Sequence, residues 1–89
     1  MAEIFIKDPD AKLDYAVDWS DWLGSDTIAT STWAVSTGIT VVSSLNTTTV
    51  ATIWLSGGTA GETYLATNRI VTAAGRQDER TLVIMVRQR

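Results

Sequence analysis

The sequence predicts an all-β fold, a single sandwich of about seven short antiparallel strands spanning residues 1–89. Runs rich in Val, Ile, Thr and Trp alternate with clusters of Gly, Asn and Asp, a strand-and-turn composition rather than a helical one. Several segments also alternate apolar and polar residues with period two, as a half-buried strand does. The breaks recur every eight to twelve residues or so, the spacing of small sandwiches.

Taken in order, Glu3 to Lys7 is a short apolar strand, stopped by Asp8-Pro9-Asp10, where proline cannot donate to a ladder. Lys12 to Trp19 alternates strictly, with Leu13, Tyr15, Val17 and Trp19 inward and Asp14, Ala16 and Asp18 outward. Ser20 to Asp26 is a turn or loop. Thr27 to Val35 is the third strand, with Ala29, Ser31, Trp33 and Val35 on one face and Ile28, Thr30, Thr32 and Ala34 on the other. Gly38 opens a fourth strand through Ser43, and Leu45-Asn46-Thr47 turns the chain. Thr49 to Leu55 follows, with Ala51, Ile53 and Leu55 inward and Trp54 on the opposite face. Gly57-Gly58-Thr59-Ala60-Gly61 is the strongest break, because glycine enters positive φ freely. Thr63 to Thr72 and Thr81 to Arg87 form a hairpin about Ala73-Ala74-Gly75-Arg76.

Seven such strands point to an immunoglobulin-like sandwich, with a small open barrel as the alternative. Two details agree. Trp33 stands mid-strand in the third element, where such folds place a core tryptophan. Gly61-Glu62-Thr63-Tyr64 sets a tyrosine at the start of the sixth strand, positioned to return a hydrogen bond to the loop before it.

A chain of 89 residues makes one domain and buries only about 60–65% of its unfolded surface. Cysteine and histidine are both absent, which removes disulfides, thiolate metal sites and the commonest general base. No cofactor is expected. The net charge of −3 argues against nucleic-acid binding. No apolar run approaches the ~18 residues of a membrane span, and MAEIFIKDPD lacks the pattern of a signal peptide. Synthesis in the cytoplasm is therefore the expectation.

The charges are segregated along the chain. Seven acids against Lys7 and Lys12 give the first 26 residues a net −5, Thr27 to Gly61 has no ionisable side chain, and the remainder carries five arginines against three acids. Charge depletion is also a mark of interface cores. The candidate interface residues are Trp19, Trp22 and Trp54 as aromatic anchors, with Asp14, Asp18, Arg76, Arg80 and Arg87 fixing orientation. On this reading the acidic strand face of one copy meets the arginines of another.

Chemistry finds less support. Asp14 and Asp18 lie about 13 Å apart on a solvent face, and the aspartates match no Ca²⁺ loop. A serine or threonine nucleophile has only Lys7 or Lys12 as base. Gly57–Gly61 lacks the lysine and helix of a phosphate loop. No small-molecule substrate is expected. Exposed tryptophans also stack on sugars, so a carbohydrate-binding module for host adsorption is an alternative from another class.

Several stretches carry a resemblance: Lys7-Asp8-Pro9-Asp10-Ala11-Lys12-Leu13-Asp14-Tyr15 with Asp18-Trp19-Ser20-Asp21-Trp22-Leu23, Asp26-Thr27-Ile28 with Ser31-Thr32-Trp33, Trp54-Leu55-Ser56-Gly57-Gly58-Thr59-Ala60-Gly61-Glu62-Thr63-Tyr64, and Thr72-Ala73-Ala74-Gly75-Arg76 with Asp78-Glu79-Arg80. Over nearly its whole length the chain resembles a family of short virion proteins of tailed bacteriophages, described as fibre–tail adaptors or minor structural proteins. The resemblance implies a non-enzymatic virion protein that attaches fibre or appendage to the tail. Its implied partners are tail, fibre or capsid subunits, and a symmetric oligomer of itself is a further one. A capsid decoration or head–tail joining subunit is the structural alternative. The family supplies no catalytic or ligand residues to transfer.

Overall fold

The β-branched runs condense into seven strands: β1 Ala2–Lys7, β2 Leu13–Asp18, β3 Ile28–Val35, β4 Ile39–Asn46, β5 Val50–Gly57, β6 Thr63–Thr72 and β7 Gln77–Val86, with one helical turn, α1 Ser20–Leu23. The computed structural model of the chain describes residues 2–88, so Met1 and Arg89 of the expected domain lie outside the described residues. One sheet has the order β1-β7-β6-β3 and the other β2-β5-β4. The second, fifth and fourth strands thus face the third, sixth and seventh, as in the constant-type immunoglobulin sandwich. One pairing departs from the antiparallel expectation: β1 runs parallel to β7, with Ile4 opposite Val83.

The two inner faces supply the core. Tyr15, Val17 and Trp19 from β2 and its end meet Ala51, Ile53 and Leu55 of β5, and Tyr64, Ala66, Ile70, Leu82, Ile84 and Val86 close the other side. The alternation read in β2 and β5 is the burial observed, and β6 and the second half of β7 alternate in the same way. Leu13 is the exception, 36% exposed at the start of β2.

Two bulges alter the sequence expectation. The register of β3 shifts between Ile28 and Thr30, so Ile28 joins Ser31, Trp33 and Val35 on the inner side. In β4 the shift falls between Val41 and Ser43. That strand runs on to Asn46, three residues beyond the expected end at Ser43, so the turn expected at 45–47 falls at 47–49. Likewise β7 begins at Gln77 rather than Thr81, because Val71 and Gln77 already pair across the hairpin. Trp33 is only half-buried, packed against the core from the rim. The fully enclosed tryptophan is Trp19, at 0% exposure.

Tyr64 forms the expected corner: its hydroxyl accepts the Thr59 N–H at 2.9 Å. Its ring lies between two glycines. A Cβ on Gly58 would stand 2.8 Å from Val86 Cγ2 and 3.3 Å from Tyr64, and one on Gly38 would stand 2.9 Å from Tyr64 Cε1. Both glycines also have positive φ, so neither position admits a side chain without strain.

Candidate protein-binding surfaces

Charges that are far apart in sequence meet in space. The β6–β7 turn brings Arg76 beside α1, where its Nε lies 3.1 Å from Asp26 Oδ2 and its Nη2 donates to the Leu23 carbonyl at 2.9 Å. Its guanidinium also stacks 4.3 Å from the Trp22 ring. Four residues on, Arg80 donates to the Asp18 carbonyl at 3.2 Å and stacks at 4.3 Å on Trp19. Trp19 and Trp22 meet edge to face at 5.4 Å. The result is a continuous stack, Arg76–Trp22–Trp19–Arg80, that clamps the 18–26 segment to the β6–β7 hairpin. Beneath it, Trp19 Nε1 donates to Asn68 Oδ1 at 2.9 Å, and Asn68 Nδ2 donates to Ser31 Oγ and the Thr32 carbonyl.

The acids at this clamp are held ionised. Hydrogen bonds to its carboxylate from the Thr72 side chain, and then from the Thr27 N–H, Arg76 and the Ala74 N–H, lower Asp26 to about 2. The Asp18 carboxyl is lowered chiefly by the Ser20 N–H bonded to it. Lys7, weighed above as a base, is enclosed, and its Nζ donates to the Gly57 and Asp8 carbonyls at 2.8 and 2.9 Å. Desolvation lowers its pKa, opposed by Asp8 and Asp10.

The candidate interface residues therefore separate. Trp19 has no surface to offer a partner, because the turn of α1 and the Arg80 stack enclose it; its reading as an anchor is corrected. Trp22 is half-buried under Arg76. Arg76 and Arg80 make their contacts within the chain, Arg76 with a side chain that is still 43% exposed and Arg80 half-buried. Arg87 is exposed and forms no ion pair among the described residues. Trp54 lies on the outer face of β2-β5-β4, opposite Asp14 on one side and Ser43 on the other. Thr52 stands next along β5, between Ala16 and Leu45, and Asp14, Asp18 and Leu45 are exposed.

Sequence reasoning missed a second surface, the outer face of the other sheet. Ile4 pairs with Val83 and Val83 with Leu65, while Ile6 pairs with Met85. Ile4 is 66% exposed, Ile6 45% and Leu65 48%. The signal was present: Ile4-Phe5-Ile6 and Leu82-Val83-Ile84-Met85-Val86 are apolar at every position, so one of their two faces must point outward unless another layer covers it. A separate open depression is lined by Arg69, Gln77, Asp78 and Glu79, where Arg69 Nη2 already bonds Gln77 Oε1 at 2.7 Å.

A family model described as podophage GP4 fiber-tail adaptor protein gp77 matches residues 7–85. The chain belongs to that family. The match runs from the end of β1 to Met85 near the end of β7, so the clamp and the Trp54 face fall within it, while Ile4, Ile6 and Arg87 lie outside. It bears out the resemblance carried by the 7–23 and 54–64 segments. No curated protein sequence matches the chain significantly. In this gp77-family chain, the Trp54 face and the Ile4–Leu65 face lie on opposite sides of one sandwich.

Proposed function

We propose that this chain is a non-enzymatic component of the phage particle that joins a fibre to the tail by protein–protein contact, holding one partner on each outer face of its sandwich. The observation that carries this reading is the pair of opposed faces with solvent-exposed apolar side chains. An adaptor must engage two neighbours at once, and contiguous exposed apolar patches mark interaction sites. The family description supports the setting. Trp54 has only Asp14 and Ser43 as polar cross-strand neighbours, and Trp19 is too enclosed to complete a stacking pair, which favours protein contact over sugar stacking.

The test uses purified tail and fibre proteins of the same phage. Wild type is expected to bridge them. Ile4→Lys with Leu65→Lys should abolish binding of one partner, and Trp54→Lys binding of the other, each leaving the remaining contact intact. Loss of both partners from either variant, or of neither from both, would overturn the two-face arrangement.

A further inference from the structure

The two flanks of the sandwich are built differently. The edge strands on one flank, β1 and β2, carry or adjoin Lys7, Asp8-Pro9, Lys12, Asp14 and Asp18, the charges and proline that discourage strand addition. On the other flank, β3 and β4 come from the segment between Thr27 and Gly61, which has no ionisable residue and no proline. A mid-strand bulge protects β4. The bulge in β3 sits at its start, so Thr30 to Val35 runs in regular register and pairs only with β6 among the described residues.

The ladder shows which backbone groups face outward. The Ser36 N–H donates to the Leu65 carbonyl at 2.9 Å. Alternation then directs the groups of Ala34, Thr32 and Thr30 to β6 and turns those of Ser31, Trp33 and Val35 to the open side.

We propose that this edge pairs antiparallel with β3 of a second copy, about a twofold axis at Trp33. The register follows from the strand itself. Inner residues must oppose inner residues, and outward-facing backbone groups must meet their like. Both conditions hold when Trp33 lies opposite Trp33 of the second copy and Ser31 opposite its Val35, making about six backbone hydrogen bonds. A twofold contact must be self-complementary, and this one is. The half-buried Trp33 and Val35 gain cover from the second copy as a cross-strand aromatic cluster. No charge opposes the approach, because neither strand carries one. Thr32 and Ala34, both exposed on the outer face, come to lie opposite one another across the seam.

That last pairing gives the test. The chain has no cysteine, and directly opposed non-hydrogen-bonded residues lie about 4.5 Å apart at Cα, within disulfide range. Under mild oxidation, a mixture of Thr32→Cys and Ala34→Cys proteins should cross-link at least several-fold more than either protein alone. Equal linking in the single variants, or none in the mixture, overturns the register. Sedimentation of the wild type over a concentration series should show a dimer that forms equally at low and high salt. The double variant Thr32→Lys with Ala34→Lys, folded by circular dichroism, should lose it, and Thr32→Glu with Ala34→Lys should restore it. A wild type that stays monomeric up to millimolar concentration, or a double-lysine variant that still dimerises, overturns the pairing. Neither result bears on binding at the outer faces.

Discussion

Asn68 is the polar centre of the core, and replacing it tests whether the network around it stabilises the fold. The side chain is fully enclosed and makes three hydrogen bonds, to Trp19 Nε1, Ser31 Oγ and the Thr32 carbonyl. Asn68→Leu preserves shape and removes all three. The groups left behind are unequal. The Thr32 carbonyl keeps its ladder bond to Arg69, and the half-buried Ser31 hydroxyl turns to water. The Trp19 indole N–H is sealed, and leaving it unpaired costs about 1–3 kcal/mol. Losing the bonds to Ser31 and Thr32 adds roughly 1 kcal/mol, and the extra apolar surface of leucine offsets a similar amount. The net loss is therefore about 2 kcal/mol. For a domain of this size that lowers Tm by roughly 8–16 °C, and it is a large part of a total of about 5–10 kcal/mol. Urea and thermal unfolding by far-ultraviolet circular dichroism measure it. The mechanism is checked by a double-mutant cycle with Trp19→Phe, which removes the donor: Asn68→Leu should then cost about 1–2 kcal/mol less. A single-variant loss under about 0.5 kcal/mol, or strict additivity in the cycle, would refute the argument.

Other consequences concern the clamp and the corner. The Asp26 carboxyl has a folded pKa of about 2, below its ordinary 3.8. Its stabilisation is thus complete above about pH 4 and lost as pH falls through 2; Asp26→Asn should lower Tm at neutral pH and flatten its decline between pH 4 and 2. Arg76→Lys keeps the charge but cannot stack on Trp22 while bonding both Asp26 and the Leu23 carbonyl. It should cost about 1 kcal/mol in urea titrations, with a shift in tryptophan emission as the Trp22 ring is uncovered. Tyr64→Phe removes the acceptor of the Thr59 N–H and should cost about 1 kcal/mol. Gly58→Ala forces a Cβ into Val86 at positive φ and should cost more than Tyr64→Phe, by roughly a further 1–2 kcal/mol in the same assay.

What the sequence reveals depends on whether the information is local. Alternation in Leu13–Trp19 and Thr49–Leu55 assigns their faces because each is a regular strand over one core. The tyrosine corner is legible because Gly61 and Tyr64 are three residues apart. The bulges at Ala29 and Val42 are not legible, since uniformly uncharged Thr, Ser and Val give no contrast to mark a slip in phase. Trp33 and Trp19 exchange expected roles for a different reason. Mid-strand position favours Trp33, but β3 lies at a sheet edge with half a neighbourhood, whereas Trp19 is covered by α1 and Arg80, which arrive from elsewhere in the chain. The order of charges along the chain likewise does not reveal that the topology lays the β6–β7 turn against α1, where Arg76 pairs with Asp26.

The parallel pairing of β1 with β7 also shapes how the chain reaches this structure. Hairpin contacts close over short loops, Val71 to Gln77 and Asn46 to Ala51, whereas Ile4 meets Val83 across 83 − 4 = 79 positions. Closing so long a loop is entropically the dearest step of assembly and follows the local ones. In the interval the apolar edge of β7 is uncovered, and it can capture β1 of a neighbouring molecule as readily as its own. Docking also sets the Lys7 ammonium against the Gly57 carbonyl of the opposite sheet, so correct closure joins the two layers in one event. Refolding yield should therefore fall as protein concentration rises, long before the native state shows any tendency to unfold.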